Sequence, residues 1–350
     1  MPIERLENLI GDTPLMRLRC LGKEDAGVHV YGKLECFNPA GSVKDRSAYQ
    51  LLLQARLDHN MEPGWTIVES SSGNMGHALA MLCAAYKLHF ICVLDSKTPK
   101  SNIAVIRAYG GQIELVETPD ETGNFQRTRI AVARRLAREL PRCVNLDQYN
   151  NPAAIAAHFK TTGPEIYSEL GGDVDVLIGC ASTGSHLSGT AKYMKSRKPG
   201  VHVIGVEPEG SVVFGGTYKP FLQNGTGLSF RPGNLLESYI DEIIKVSDHD
   251  AFATCRRLAR TEGLLLGGSS GSVLHVAALI AHRMRRPCNI AVILPDNGMK
   301  YLDTIYDDQW LRKHGLHGAI AGEDAVMTGD RPATRRVPLA EVELPVGELQ

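Results

Sequence analysis

The chain has 350 residues, 43% hydrophobic and 22% charged, with a formal net charge of −1. That length can bury a sizeable core and sets a prior of about two domains. The charge balance gives no electrostatic reason to expect nucleic acid or an anionic membrane as partner, and no apolar run reaches the ~18 residues of a membrane span.

The opening run MPIERLENLIGDTPL carries acids early and has no apolar core, so no signal peptide is expected. Next comes FNPAGSVKDRSAY (37–49), in which turn formers (Asn38, Pro39, Gly41, Ser42) give way to a helical pattern at Lys44. On spacing alone Lys44 reads as an exposed helix-start residue, because lysine is rarely buried. From there the chain alternates. Helix DRSAYQLLLQARL is followed by strand WTIVES, helix GHALAMLCAAYK, strand HFICVL, helix SNIAVIRAYG, strand GQIELVE and helix QRTRIAVARRLAREL. The stretch LDQYNNPAAIAAHFKTTGPEI reads as punctuation. Strand VDVLIGC, helix SGTAKYMKSR, strand VHVIGVE, helices AFATCRRLARTEG and SVLHVAALIAHRM, and strand NIAVIL complete the series. The strands are continuously apolar rather than alternating. That predicts an α/β fold of two open, twisted, mostly parallel sheets flanked by helices.

The strands fall into two groups, 65–117 and 174–295, with a crossing expected near 150 and a ligand cleft at the strand C-terminal ends. The arginines of RTRIAVARRLAREL accompany a helical stripe of Ile130, Val132, Leu136 and Leu140, which predicts a solvated amphipathic helix rather than a nucleic-acid contact. Cysteines at 20, 36, 83, 92, 143, 180, 255 and 288 form no CxxC pair, and several lie in strand-like runs, so reduced thiols and a cytoplasmic location are expected. The twelve histidines show no HExxH spacing, and no metal site is expected.

Three loops share one design: an apolar strand, a small hydroxyl-rich loop, then a helix. They are IVESSSGNMGHALA (67–80), VLIGCASTGSHLSGTA (176–191) and LLLGGSSGSVLHVAA (264–278). Each alone could be plain helix capping. Together they suggest a ligand with several oxygens and a phosphate, held by backbone N–H groups and hydroxyls. No nucleotide pattern such as GxxxxGK[ST] accompanies them. A lysine between two α/β layers, with a phosphate loop elsewhere, points to pyridoxal phosphate, which requires an imine-forming amine, a phosphate cradle and a partner for its ring nitrogen.

IGDTPLMRL (10–18), NPAGSVKDR (38–46), SSSGNMGHALA (70–80), TTGPEI (161–166), GGSSGS (267–272) and LPDNGMKYL (294–302) resemble, in the same order, the signatures of the cysteine synthase and cystathionine β-synthase family. These are fold-type II pyridoxal-phosphate enzymes, similar in architecture to the tryptophan synthase β-chain, which replace the β-substituent of an activated serine through an α-aminoacrylate. The resemblance implies Lys44 as the Schiff-base lysine and Asn74 as the partner of the cofactor's ring hydroxyl. It implies Ser71, Ser72, Gly73, Asn74 and Met75, with Gln148, as the substrate-carboxylate site. The run Ser182, Thr183, Gly184, Ser185 and His186 corresponds to the phosphate loop, and Ser269 to the hydroxyl facing the ring nitrogen. A homodimer, and a division into residues 46–150, residues 1–45 plus 151–318, and a flexible or partner-contacting tail at 319–350, are also expected.

Three places depart from cysteine synthases: Met75, the loop Ser182–His186 where the family has GTGGT, and GTGLSFRP (225–232) where it has GIGAGF. PDETGNFQRTRIA (119–131), EGSVVFGG (209–216) and LDTIYDDQWL (302–311) are similar to a narrower group, synthases of siderophore pathways that join O-phospho-L-serine to the amine of L-glutamate. Their product is N-(2-amino-2-carboxyethyl)-L-glutamate, the precursor of 2,3-diaminopropionate. A dicarboxylate nucleophile needs cations near the cleft mouth, and Arg231 is the expected one; Arg46, on the lysine's helix, is expected to be structural. The competing expectations are a cysteine or cystathionine synthase using sulfide or a thiol, and a non-catalytic relative that binds the cofactor or an amino acid.

Overall fold

The computed structural model describes residues 2–121 and 123–321, so most of the expected tail (322–350) lies outside the described residues. The elements are β1 (Leu15–Arg17), β2 (Val28–Leu34), α1 (Lys44–Asp58), β3 (Thr66–Ser70), α2 (Asn74–Ala85), β4 (His89–Asp95), α3 (Lys100–Ala108), β5 (Gln112–Val116), α4 (Phe125–Glu139) and β6 (Cys143–Asn145). They continue with α5 (Ala153–Lys160), α6 (Thr162–Glu169), β7 (Val176–Cys180), α7 (Ser185–Arg197), β8 (His202–Pro208), β9 (Glu242–Val246), α8 (Asp248–Thr261), α9 (Gly268–Arg283), β10 (Cys288–Leu294), α10 (Asp308–Lys313) and α11 (Gly318–Ala321). No helix among the described residues is long and apolar enough to cross a membrane.

Two sheets form, as expected for this α/β class. A six-stranded sheet runs in the order β1-β2-β10-β7-β8-β9, and a four-stranded one in the order β5-β4-β3-β6. All neighbours are parallel except β1, which is antiparallel to β2. The central strand β10 shows why its sequence is unbroken CNIAVIL. Ile290, Val292 and Leu294 face the cluster built with α8 and α9, while Ala291 and Ile293 face the one built with α6 and α7. A parallel strand covered on both sides has no polar face to display. In the smaller sheet Ile67, Phe90, Cys92 and Leu94 pack on α1 and α2, and Val68 and Val93 pack against Ala133 of α4.

The strand runs expected from sequence lie within a residue or two of β3, β4, β5, β7, β8 and β10. Edge strands β1, β6 and β9 are short or half-buried and carry no such run. The stretch 146–166, expected to be punctuation, contains α5 and the start of α6. Its glycine is there for packing: a Cβ on Gly163 would lie 2.6 Å from Tyr193, and one on Gly189 of α7 would lie 2.3 Å from the Ile155 carbonyl of α5.

The turn segments at 10–18 and 38–46 meet in one buried ion cluster. Arg46 of α1 is 2% exposed and pairs with Glu35 (Nε to Oε2, 2.7 Å) and Glu165 (Nη1 to Oε1, 2.5 Å), while its Nη2 donates to the Thr13 hydroxyl at 3.0 Å. Lys33 of β2, wholly buried, pairs with Glu165 at 3.0 Å and Glu169 at 2.7 Å. Asn38 donates to Glu35 at 2.9 Å and accepts from the N–H of Gly11 at 2.9 Å. Arg46 is structural, as expected.

Removing one member of a buried ion cluster leaves the others uncompensated. Arg46→Met should therefore lower unfolding free energy by about 3–5 kcal/mol in urea titrations, and a loss under about 1 kcal/mol would show that the cluster does not hold α1. Burial alone would raise the Glu165 carboxyl, but hydrogen bonds and charge from Arg46, with Lys33, outweigh it and hold it at about 2. A carboxyl depressed in the native state adds stability above its unfolded value, and this is lost as pH falls through the native value. The stability gap between wild type and Glu165→Gln should be widest above about pH 5 and shrink toward about pH 2.

Candidate active site

The C-terminal ends of β3, β4, β6, β7, β8 and β10 open onto one cavity of about 400 Å³ between the two sheets. Open parallel sheets place ligands at that edge. Lys44, the first residue of α1, sits on its wall. The segment before it is pinned from several sides. Gly41 takes φ +81°, the Val43 N–H donates to the Pro295 carbonyl at 2.8 Å, and the Lys44 N–H donates to the Ser42 hydroxyl at 3.2 Å. The N–H of Ala40 donates to Asp45 at 2.5 Å, and burial pushes that carboxyl up to about 7. Desolvation lowers the Lys44 ammonium pKa, opposed by Cys180 and Asp296, which favours a neutral, nucleophilic amine.

Asn74 begins α2 and lines the cavity opposite Lys44. Its Nδ2 donates to Asp296 Oδ2 at 2.7 Å, and its Oδ1 accepts from Lys300 Nζ at 2.6 Å. The Ser269 hydroxyl, at the start of α9, is buried with no partner among the described residues. A Cβ built on Gly225, where φ is +81°, would lie 3.7 Å from Ser269 Oγ, 3.9 Å from Tyr301 Oη and 4.0 Å from Asn74 Nδ2, so these three groups face one space.

Ser182 and Thr183 line the cavity at the N-terminus of α7. Gly184 holds φ +85° there, and a Cβ on it would strike the backbone of Leu235 at 2.8 Å. The Thr183 and Ser185 hydroxyls are 3.2 Å apart. The His186 ring sits behind the loop with Nε2 at 3.7 Å from Cys180 Sγ and Nδ1 unpartnered; burial pushes its pKa down to about 3, so the ring is neutral. A neutral loop of N–H and O–H donors at a helix N-terminus is suited to a phosphate. An amine, an orphaned hydroxyl, an amide and this cradle fit pyridoxal phosphate.

The other expected residues divide. Ser71, Ser72 and Gly73 line the cavity, the Ser71 hydroxyl accepting the N–H of Gly76 at 3.0 Å. Gln148 also lines it, its Nε2 held by the Ser70 carbonyl at 2.7 Å. Met75 borders the cavity, yet its side chain is buried in the core of the smaller sheet. Arg231 is not at the cleft. Phe230 packs on Tyr149, with centroids 5.3 Å apart, and turns the next residue outward, where Arg231 is 54% exposed and pairs with Glu237.

The cations at the cavity are Lys97, Arg129 and Lys300 beside Lys44. The helix is amphipathic with Arg127, Arg134, Arg135 and Arg138 exposed, as expected, and Arg129 is the exception: it is 5% exposed, its Nη1 lies 3.1 Å from Asp95 Oδ2, and its Nε makes no hydrogen bond among the described residues. Its position, one residue before partly buried Ile130 and four before buried Ala133, sets it beside the apolar stripe, but nothing in the sequence separates it from the solvated arginines around it. Gln126, on the same helix, accepts from the Ser229 N–H (3.1 Å) and hydroxyl (2.9 Å), joining the two walls.

Comparison with known proteins agrees with this geometry. Residues 6–296 match the family model described as pyridoxal-phosphate dependent enzyme. The chain is 39% identical over 313 residues to N-(2-amino-2-carboxyethyl)-L-glutamate synthase of Ralstonia nicotianae, covering 89% of this chain and 92% of that protein. It is 38% identical over 323 residues to the enzyme of that name in Cupriavidus metallidurans, covering 91% and 94%. The crystal structure of O-ureido-L-serine synthase superimposes with a TM-score of 0.82 at 33% identity, over 89% of this chain and all of that one. The chain therefore belongs to the pyridoxal-phosphate dependent enzyme family, in its fold-type II branch.

Proposed function

We propose that this enzyme replaces the β-substituent of O-phospho-L-serine with the amine of L-glutamate, giving N-(2-amino-2-carboxyethyl)-L-glutamate. The observation that carries the reading is Arg129: a guanidinium on the cavity wall, 5% exposed and paired through Nη1 with Asp95 at 3.1 Å. Sulfide offers no oxyanion to hold, and an acetyl leaving group offers no dianion. A phosphate matches a forked donor, and a second carboxylate matches Lys97 at the mouth. The names of the two relatives support the same substrates.

In this reading Lys44 anchors the cofactor, Asn74 faces its ring hydroxyl, Ser269 faces its ring nitrogen, and the loop Ser182–His186 with the N-terminus of α7 holds its phosphate. Bound there, pyridoxal phosphate supplies an electron sink for bond breaking at the substrate Cα. Ser72, Gly73 and the Asn74 end of α2 offer donors to the substrate carboxylate, with Gln148 beside them. Lys44, whose charged form desolvation disfavours, is placed to take the α-proton. Ser269 is uncharged where an aspartate would hold the ring nitrogen protonated, so charge on Cα is stabilised only briefly, which favours loss of a β-substituent over racemisation or transamination. We further propose a homodimer. Phe37, Met299 and Leu302 are exposed apolar side chains on two adjoining loops, joined where Lys300 donates to the Gly41 carbonyl at 3.4 Å.

Holoenzyme given O-phospho-L-serine should release phosphate in step with L-glutamate consumption, with the adduct seen by mass spectrometry; product formed only when sulfide replaces glutamate would overturn the reading. Arg129→Gln should lower kcat/KM for O-phospho-L-serine roughly 10- to 100-fold, the scale of a lost charge-assisted hydrogen bond, with a smaller effect on O-acetyl-L-serine. Sedimentation should give about twice the chain mass of 38.1 kDa, and Met299→Glu should shift the distribution toward the monomer if these loops form the interface.

A further inference from the structure

Asp296 stands where the three cofactor-facing segments meet. It forms a bridge with Ser42, two residues before Lys44, and its carbonyl faces the Gly267 N–H at the start of the helix that carries Ser269. A Cβ on Gly267 would lie 2.1 Å from Asp296 Oδ1, so glycine is what lets the carboxylate sit against that helix end. Asp296 is fully buried. Its Oδ2 accepts from Asn74 Nδ2 at 2.7 Å and Tyr301 Oη at 2.8 Å, and its Oδ1 has no partner among the described residues. On the other side of the same amide, Lys300 Nζ donates to Asn74 Oδ1 at 2.6 Å and to the Gly41 carbonyl at 3.4 Å.

An ammonium can only donate and a carboxylate can only accept, so these two neighbours select one of the two amide orientations. We propose that Asp296 and Lys300 are positioning residues that lock the Asn74 amide, so that it turns its remaining N–H, and never its oxygen, toward the cavity. Such a group suits an oxyanion, and it would favour the ionised form of the cofactor's ring hydroxyl when the cofactor is bound. This rests on the reading above that Asn74 faces that hydroxyl. Neither residue touches the reacting atoms in this account; both act through Asn74.

The test uses apoenzyme titrated with pyridoxal phosphate, reading the cofactor dissociation constant and the pH midpoint of the bound cofactor's visible absorption. Asn74→Ala should weaken cofactor binding and move that midpoint. Lys300→Met and Asp296→Asn should move it in the same direction and weaken binding roughly tenfold each, while Lys300→Arg, which keeps a donor, stays near wild type. The double variant Asn74→Ala/Lys300→Met should match Asn74→Ala alone, because a residue acting through Asn74 has nothing left to act on. If Lys300→Met and Asp296→Asn match wild type while Asn74→Ala does not, the lock is wrong and the function reading stands. Additive losses in the double variant would also overturn it, showing that Lys300 contacts the ligand directly. If Asn74→Ala itself changes nothing, the placement of Asn74 against the cofactor falls and the lock with it. Lys300 is only partly buried, so its variants remain informative if Asp296→Asn does not fold.

Discussion

The arginine two residues after Lys44 governs the geometry of the cavity wall. On an α-helix, side chains two positions apart point about 200° from each other. Arg46 is fixed in the buried cluster with Glu35 and Glu165, so Lys44 is turned away from that cluster and onto the cavity. A buried ion cluster is weak evidence of net stabilisation, since desolvation offsets most of the attraction. Its geometric specificity is another matter: Glu35 follows β2, Glu165 belongs to α6 and Thr13 precedes β1, so one guanidinium fixes the start of α1 against three distant segments.

That constraint accounts for residues with no chemical part. Asn38 bridges Glu35 and Gly11; Gly41 takes a backbone conformation that side chains rarely adopt; Asp45 closes the turn by accepting the Ala40 N–H. Together they explain why a turn-rich stretch must lead into the helix. The backbone has to pass close beneath the ligand, and the amine must leave the first helical residue in one direction.

The central strands were legible because a parallel strand covered on both faces has to be apolar throughout, and β10 is the plainest case. Lys33 broke that pattern in β2, and only the cluster explains its burial; no periodicity rule reveals a lysine whose carboxylates lie 132 and 136 residues away in sequence, at 165 and 169. Lys44, Asn74 and Ser269 were assigned through family resemblance and not through spacing, and the structure gives each a neighbourhood that fits. Arg129 was hidden for a physical reason. A helix of this kind buries a stripe set by its apolar residues, and a buried cation beside that stripe looks like one more solvated arginine until the opposite wall is known. Arg231 erred in the other direction: a loop can line a cavity at Gly225–Leu228 and still turn outward three residues later.

Both sheets contribute cations and hydroxyls to the cavity. The smaller one brings Arg129, Lys97, Gln126, Ser72 and Asn74; the larger brings Lys300, Ser182 and Thr183. They are joined at the cleft by side chains, through Asn74 to Asp296, Gln126 to Ser229, and Asn234 to the Gln148 carbonyl at 3.0 Å. Gln126 and Arg129 are three residues apart on α4 and so share a helix face. An anion placed at Arg129 would therefore lie beside the Gln126–Ser229 contact. Arg129 on the cavity wall and the Gln126–Ser229 contact that joins the two walls are thus carried by neighbouring side chains on one helix, so a change in the position of α4 alters both together.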